Sequence, residues 1–138
     1  MQTIDALRNR RSAKALTDPA PDEAALELML ECASRAPDHG RLRPWRFIVI
    51  RGAARERLGE LLAAQLRRKQ PAASAEALQR ERQKALRAPL IITVAGVPDA
   101  AARIPAIEQI LAAGAAAQNL MLAASALGFG AMWKTGDA

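Results

Sequence analysis

Cysteine, histidine and aromatic residues are scarce in this 138-residue chain, and each scarcity excludes some chemistry. One cysteine, Cys32, cannot close an internal disulfide or build a zinc site. Cys32 falls in an apolar helical pattern and reads as a core residue of a reduced, cytoplasmic protein. His39 is the only histidine, which removes multi-histidine metal centres. Two Trp and two Phe make up the aromatic 3%, so the core must be built from Ala, Leu, Ile and Val.

Long apolar runs are missing too. Met1–Arg11 contains none, unlike a secretory signal. Residues 107–127 have about the length of a membrane span. Yet Glu108, Gln109, Gln118, Asn119 and Ser125 interrupt them, and the longest unbroken stretch is Ile110–Ala117. The segment reads as a central buried helix whose small residues allow close backbone approach, as at a subunit interface. No G-x-S-x-G elbow, Walker A sequence or G-x-G-x-x-G fingerprint occurs. Without an apparent nucleophile–base system, the chemistry belongs to a bound cofactor.

What is present indicates one globular domain over residues 1–138. Hydrophobic residues are 51% of the chain, which excludes disorder. The formal charge is +6. Residues 51–87 hold ten Lys/Arg and four Asp/Glu, while the rest of the chain is balanced. A solvated helical face explains that excess, and attraction of anionic cofactors or substrates is the next reading. Nucleic acid comes last, because no aromatic in the segment offers a base a stacking surface.

Periodicity predicts helices over 3–9, 22–36, 54–69, 74–87 and 107–127. Leu26, Met29, Leu30 and Ala33 form one buried stripe; Leu58, Leu61, Leu62 and Leu66 form another. Strands are expected at 45–51, 90–95 and 129–135, with Phe47-Ile48-Val49-Ile50 buried on both faces. Gly128 reads as a helix C-cap. The alternation indicates an α/β or α+β fold with a helix-covered sheet.

Arg10-Arg11-Ser12-Ala13-Lys14 is the sharpest local signal. Arginine forks and a serine hydroxyl suit a phosphate, although a surface charge run has the same composition. Arg35 with His39, and the segment after Trp133, are further candidates. Arg35 also suits a helix C-terminus, His39 a plain loop, and Trp133 a core or interface.

Four segments in order resemble the nitroreductase family of FMN-dependent oxidoreductases. They are Arg10-Arg11-Ser12 with Lys14; Ser34-Arg35-Ala36-Pro37-Asp38-His39 followed by Arg43-Pro44-Trp45; Ala88-Pro89-Leu90-Ile91-Ile92; and Gly114–Leu120 continuing through Leu127-Gly128-Phe129-Gly130 to Trp133. The resemblance runs over essentially the whole chain and is nearest to compact members. It implies a three-layer sandwich with a mixed sheet, and a homodimer with two FMN sites at its interface. It assigns Arg10 and Ser12 to the FMN phosphate and ribityl region, and Arg11 to backbone along the flavin. Lys14 matches a lysine at the pyrimidine edge in some members. Arg35 and His39 would reach the FMN held mainly by the other subunit. Trp133, Lys134 and Thr135 match a strand end beside the flavin ring. Residues 123–128 would meet the nicotinamide nucleotide.

The implied activity is hydride transfer from NAD(P)H through FMN to a nitroaromatic, quinone or similar small acceptor, in ping-pong order. No nucleic acid or membrane partner is implied. Family chains continue past the position of Ala138, and the strand they add there is missing from this sequence. That departure keeps a second expectation open, an FMN-binding protein without turnover. The charge of 51–87 keeps a third, a basic nucleic-acid-binding module.

Overall fold

The structure, a computed structural model, describes residues 3–135. Met1, Gln2 and residues 136–138, which entered the expectations only as the ends of the chain, lie outside them. Helices are α1 (Thr3–Asn9), α2 (Glu23–Ser34), α3 (Ala53–Lys69), α4 (Ala75–Lys84) and α5 (Ala106–Ala126). A 3-10 turn spans His39–Arg41, and the strands are β1 (Trp45–Arg51) and β2 (Leu90–Gly96). The helix-rich α+β class is as expected.

The chain divides into two compact units. Of the described residues, the first contains 3–14, 21–48 and 93–135, and the second 15–20 and 49–92. Each contains half of the β1–β2 ladder.

In the first unit the core lies along α5. Gln109, Ala112, Ala113, Ala116, Ala117 and Leu120 follow helical spacing, and all are buried. Leu26, Met29 and Ala33 of α2 supply the facing stripe, with Ala33 and Ala116 fully enclosed. Asp22 caps α2, accepting the Ala25 N–H at 2.9 Å. α5 ends in a Schellman motif. The Phe129 N–H reaches the Ala124 carbonyl at 2.9 Å, and the Gly128 N–H reaches that of Ser125 at 3.1 Å. Gly128 has φ +88°, the left-handed geometry that this cap requires.

Gln109 departs from its apparent role as a polar interruption. It is 2% exposed. Its Oε1 accepts the Asp99 N–H at 2.7 Å, and its Nε2 donates to the carbonyls of Asp99 and Ile104 at 3.1 and 2.9 Å. One side chain thereby satisfies three backbone groups of the loop before α5.

In the second unit α3 packs on α4 around Gly59, Ala63, Leu78 and Ala85. Ser74 caps α4, accepting the Ala77 N–H at 3.2 Å. An alanine Cβ at Gly59 would lie 2.8 Å from the Arg82 carbonyl oxygen and 3.2 Å from its Cα. Absence of a side chain there lets two helix backbones meet.

Three expectations need correction. Leu61 is 68% exposed, because its position on α3 turns away from α4 while Leu58, Leu62 and Leu66 are half-buried. The strands are not buried on both faces, and Ile48 is 51% exposed. Among the described residues the sheet has two antiparallel strands, and Val97 N–H to Pro44 carbonyl at 2.9 Å extends its ladder. A two-stranded sheet is edge on both sides and cannot enclose its strands. Finally, 129–135 is not a strand. It pairs at a single residue, and a strand needs successive rungs.

Two stability outcomes follow from these contacts. Gly59→Ala gains about 1 kcal/mol in helix propensity but forces the α3 and α4 backbones apart, so a net loss of about 1–2 kcal/mol is expected in urea unfolding. Gln109→Leu keeps the volume and strands three backbone groups. A loss of about 2–3 kcal/mol in the same measurement is expected, and an unchanged midpoint would refute the pinning role.

Candidate functional site

The first unit joins two segments far apart in sequence. Ser12 forms a parallel bridge with Ala131, and the Ala13 N–H donates to the Ala131 carbonyl at 3.0 Å. The Schellman motif turns the chain out of α5 just before this pairing. The R-x-S segment and the segment that ends at Thr135 therefore lie side by side.

Arg10 stands at the end of α1, where its N–H donates to the Ala6 carbonyl at 3.0 Å. Its side chain is half-buried, and one terminal guanidinium nitrogen is buried without a hydrogen-bond partner. Such a donor is costly unless something accepts from it. Arg11, Ser12 and Lys14 are exposed beside it. The cluster thus combines a buried, unsatisfied donor with accessible cations and a hydroxyl. This is the donor set that a phosphate would satisfy, and the residues fit such a group.

Trp133 is 48% exposed. A Cβ at Gly114 would lie 3.9 Å from its ring, in ordinary contact, so the indole reaches the middle of α5. Lys134 and Thr135 are exposed beyond it.

Arg35 and His39 are engaged elsewhere. Arg35 caps α2 and forms an exposed ion pair with Glu31 at 3.3 Å. His39 Nδ1 meets Glu108 Oε2 at 2.8 Å, joining the 3-10 turn to the first turn of α5. Their pairings leave both side chains largely exposed. Within this chain they do not bond to the 10–14 segment. Glu108 and Ala131 were missed as partners. The His39–Glu108 pair spans 69 residues, and no local pattern marks such a contact.

Among the described residues there is no group of metal-ligating side chains, and no helix is long and apolar enough to cross a membrane.

Comparison with known proteins fits this geometry. Residues 7–136 match the model of the Nitroreductase family. YdjA of Escherichia coli (strain K12), named as a candidate NAD(P)H nitroreductase, is 40% identical over 140 residues. The match covers 99% of this chain and 73% of YdjA. YfhC of Bacillus subtilis (strain 168), named likewise, is 32% identical over 96% of this chain and 68% of its own length. Among solved structures, a nitroreductase-like family protein from Bacillus cereus superposes with a TM-score of 0.78 at 27% identity, covering 99% of this chain and 71% of that one. A Desulfovibrio desulfuricans protein named as a candidate nitroreductase, solved in complex with FMN, gives 0.72 at 34% identity, covering 96% and 67%. With the family model spanning nearly all of the chain and relatives at this identity, the chain belongs to the nitroreductase family.

Proposed function

We propose that residues 1–138 belong to one FMN-binding domain of a cytoplasmic, homodimeric NAD(P)H-dependent oxidoreductase that reduces nitroaromatics, quinones or similar small acceptors. The observation that carries this reading is the buried, unpartnered guanidinium nitrogen of Arg10 beside the Ser12–Ala131 pairing. The FMN-bound Desulfovibrio relative and the NAD(P)H named for the Escherichia coli relative supply the two cofactors.

Arg10 and Ser12 are assigned to the FMN phosphate and ribityl chain. The guanidinium gives paired donors, and the hydroxyl gives a directed one. Arg11 contributes backbone along the flavin. Lys14 brings a positive charge to the pyrimidine edge, where it favours the anionic, reduced ring. Trp133, Lys134 and Thr135 flank the ring, the indole shielding it from water and the backbone offering an N–H for orientation. Arg35 and His39 serve the FMN held mainly by the other subunit, which accounts for their exposure here. Residues 123–128 are assigned to the nicotinamide nucleotide. FMN, when bound, supplies at N5 the hydride acceptor and donor that lets NAD(P)H and the oxidised acceptor use one cleft in ping-pong order.

The α5 surface supports subunit association. Ile107, Ile110 and Leu111 share one side, and Ile107 and Leu111 are 63% and 65% exposed. An apolar stripe of this kind is what a partner subunit covers.

The purified chain is expected to be yellow, with flavin absorbance and NADH- or NADPH-dependent reduction of a nitroaromatic. Colourless protein that cannot be reconstituted with FMN would overturn the reading. Arg10→Ala is expected to weaken FMN binding by about 1.5–3 kcal/mol in a fluorescence titration, the scale of a lost hydrogen bond to a charged group. Unchanged affinity would reduce the cluster to surface charge.

A further inference from the structure

The turn that carries His39 holds two arginines not assigned above, in a backbone geometry that arginine rarely adopts. Gly40, Arg41 and Arg43 have φ of +76°, +55° and +48°. Glycine takes such a conformation freely, and at Gly40 the positive φ is what favours it. Arg41 and Arg43 have no such freedom, and non-glycine residues held this way are concentrated at functional sites.

The turn is held firmly. The Asp38 carboxylate accepts the Arg43 N–H at 2.7 Å, and the Asp38 carbonyl accepts the Arg41 N–H at 3.2 Å. His39 is tied to Glu108 at 2.8 Å. Pro44 and Trp45, which follow, are buried. The left-handed conformations are thus imposed by anchors on both sides.

This architecture presents two exposed guanidinium groups two residues apart. Among the described residues neither has an acidic partner. The neighbouring acids are committed elsewhere, Asp38 to a backbone N–H and Glu108 to His39. Two arginine forks carried on an anchored turn, without a counter-ion, suit the oxygens of a phosphate or carboxylate.

We propose that Arg41 and Arg43 form an oxyanion-recognition rim that selects substrates carrying a phosphate or carboxylate away from their reacting atoms. The proposal rests on the reading above that the His39 turn borders a flavin site. Two sources share this chemistry: the 2′-phosphate of NADPH and a carboxylate on the acceptor.

The test uses the FMN-loaded full chain, the Arg41→Gln/Arg43→Gln variant and the matching Lys variant. Calorimetry compares 2′,5′-ADP with 5′-AMP, and kinetics compares 4-nitrobenzoate with nitrobenzene. In one arm the unaltered protein is expected to favour the oxyanion-bearing ligand by about tenfold, the scale of a partly screened charged hydrogen bond. Glutamine is expected to abolish that preference and lysine to restore part of it, with FMN content unchanged. The arm that responds identifies the source.

No preference in either arm overturns the proposal. So does a preference that survives both glutamines. An equal loss in Arg80→Gln/Arg87→Gln, on and just after α4, would show general surface charge and also overturn it. Failure of the flavin reading is separate, because it appears as protein without FMN. Calorimetry with 2′,5′-ADP on that protein still reports on the two arginines.

Discussion

Close approach to α5 is the constraint on which the first unit depends. The buried face of α5 consists largely of alanine, with Ala112, Ala113, Ala116, Ala117 and Ala124 all below a tenth exposed. Short side chains bring neighbouring backbones near, and α1, α2 and the 3-10 turn all contact this helix. Alanine offers little area for burial, so the packing depends on fit more than on bulk. The polar contacts then set position. Gln109 ties down the loop before the helix, and the Asn119 amide donates to the Cys32 carbonyl at 3.2 Å, linking α5 to α2.

The candidate site derives its geometry from the two ends of that helix. At the C-terminal end, the left-handed Gly128 turns the chain so that Ala131 can pair with Ser12. At the N-terminal end, Glu108 holds His39, which fixes the turn bearing Arg41 and Arg43. Glu108 also lies in the first turn, where a carboxylate is favoured by the helix dipole. The middle of α5 meets Trp133 at Gly114. Contacts with one helix therefore help to position both groups of candidate residues, although the residues themselves lie in loop segments.

Local physics made much of this legible in sequence. Helix positions followed from apolar spacing and caps. α3 begins at Ala53 where residue 54 was expected, and α5 spans Ala106–Ala126 where 107–127 was expected. The errors lie where partners decide the outcome. Phe129–Thr135 has β-forming residues, yet its pairing stops at one residue. Ile48 has the composition of an enclosed strand, but the enclosure of a strand depends on its neighbours. Gln109 appeared to be a defect in an apolar segment because its three partners were invisible without the fold. For the site, Arg10 and Ser12 could be read from residue type and family order. Nothing in the letters Arg41 and Arg43 reveals a positive φ.

Burial without a partner, more than charge count, distinguishes Arg10 from the arginines of the second unit. The second unit contains the chain's charge excess, but much of it is spread over exposed positions. Two of its pairs, Arg82 with Glu60 at 2.8 Å and Lys84 with Glu81, lie at the surface, where such contacts contribute little. Arg55 buries one unpartnered nitrogen, but another of its nitrogens donates to the Ala88 carbonyl at 2.9 Å, which gives that side chain a structural role. Arg10 is different. Its guanidinium has a buried donor and no partner among the described residues, beside a segment left accessible on its other side. A fold that tolerates such a donor gains from an anion that accepts from it. The candidate anion site therefore falls in the balanced first unit, not in the basic second one.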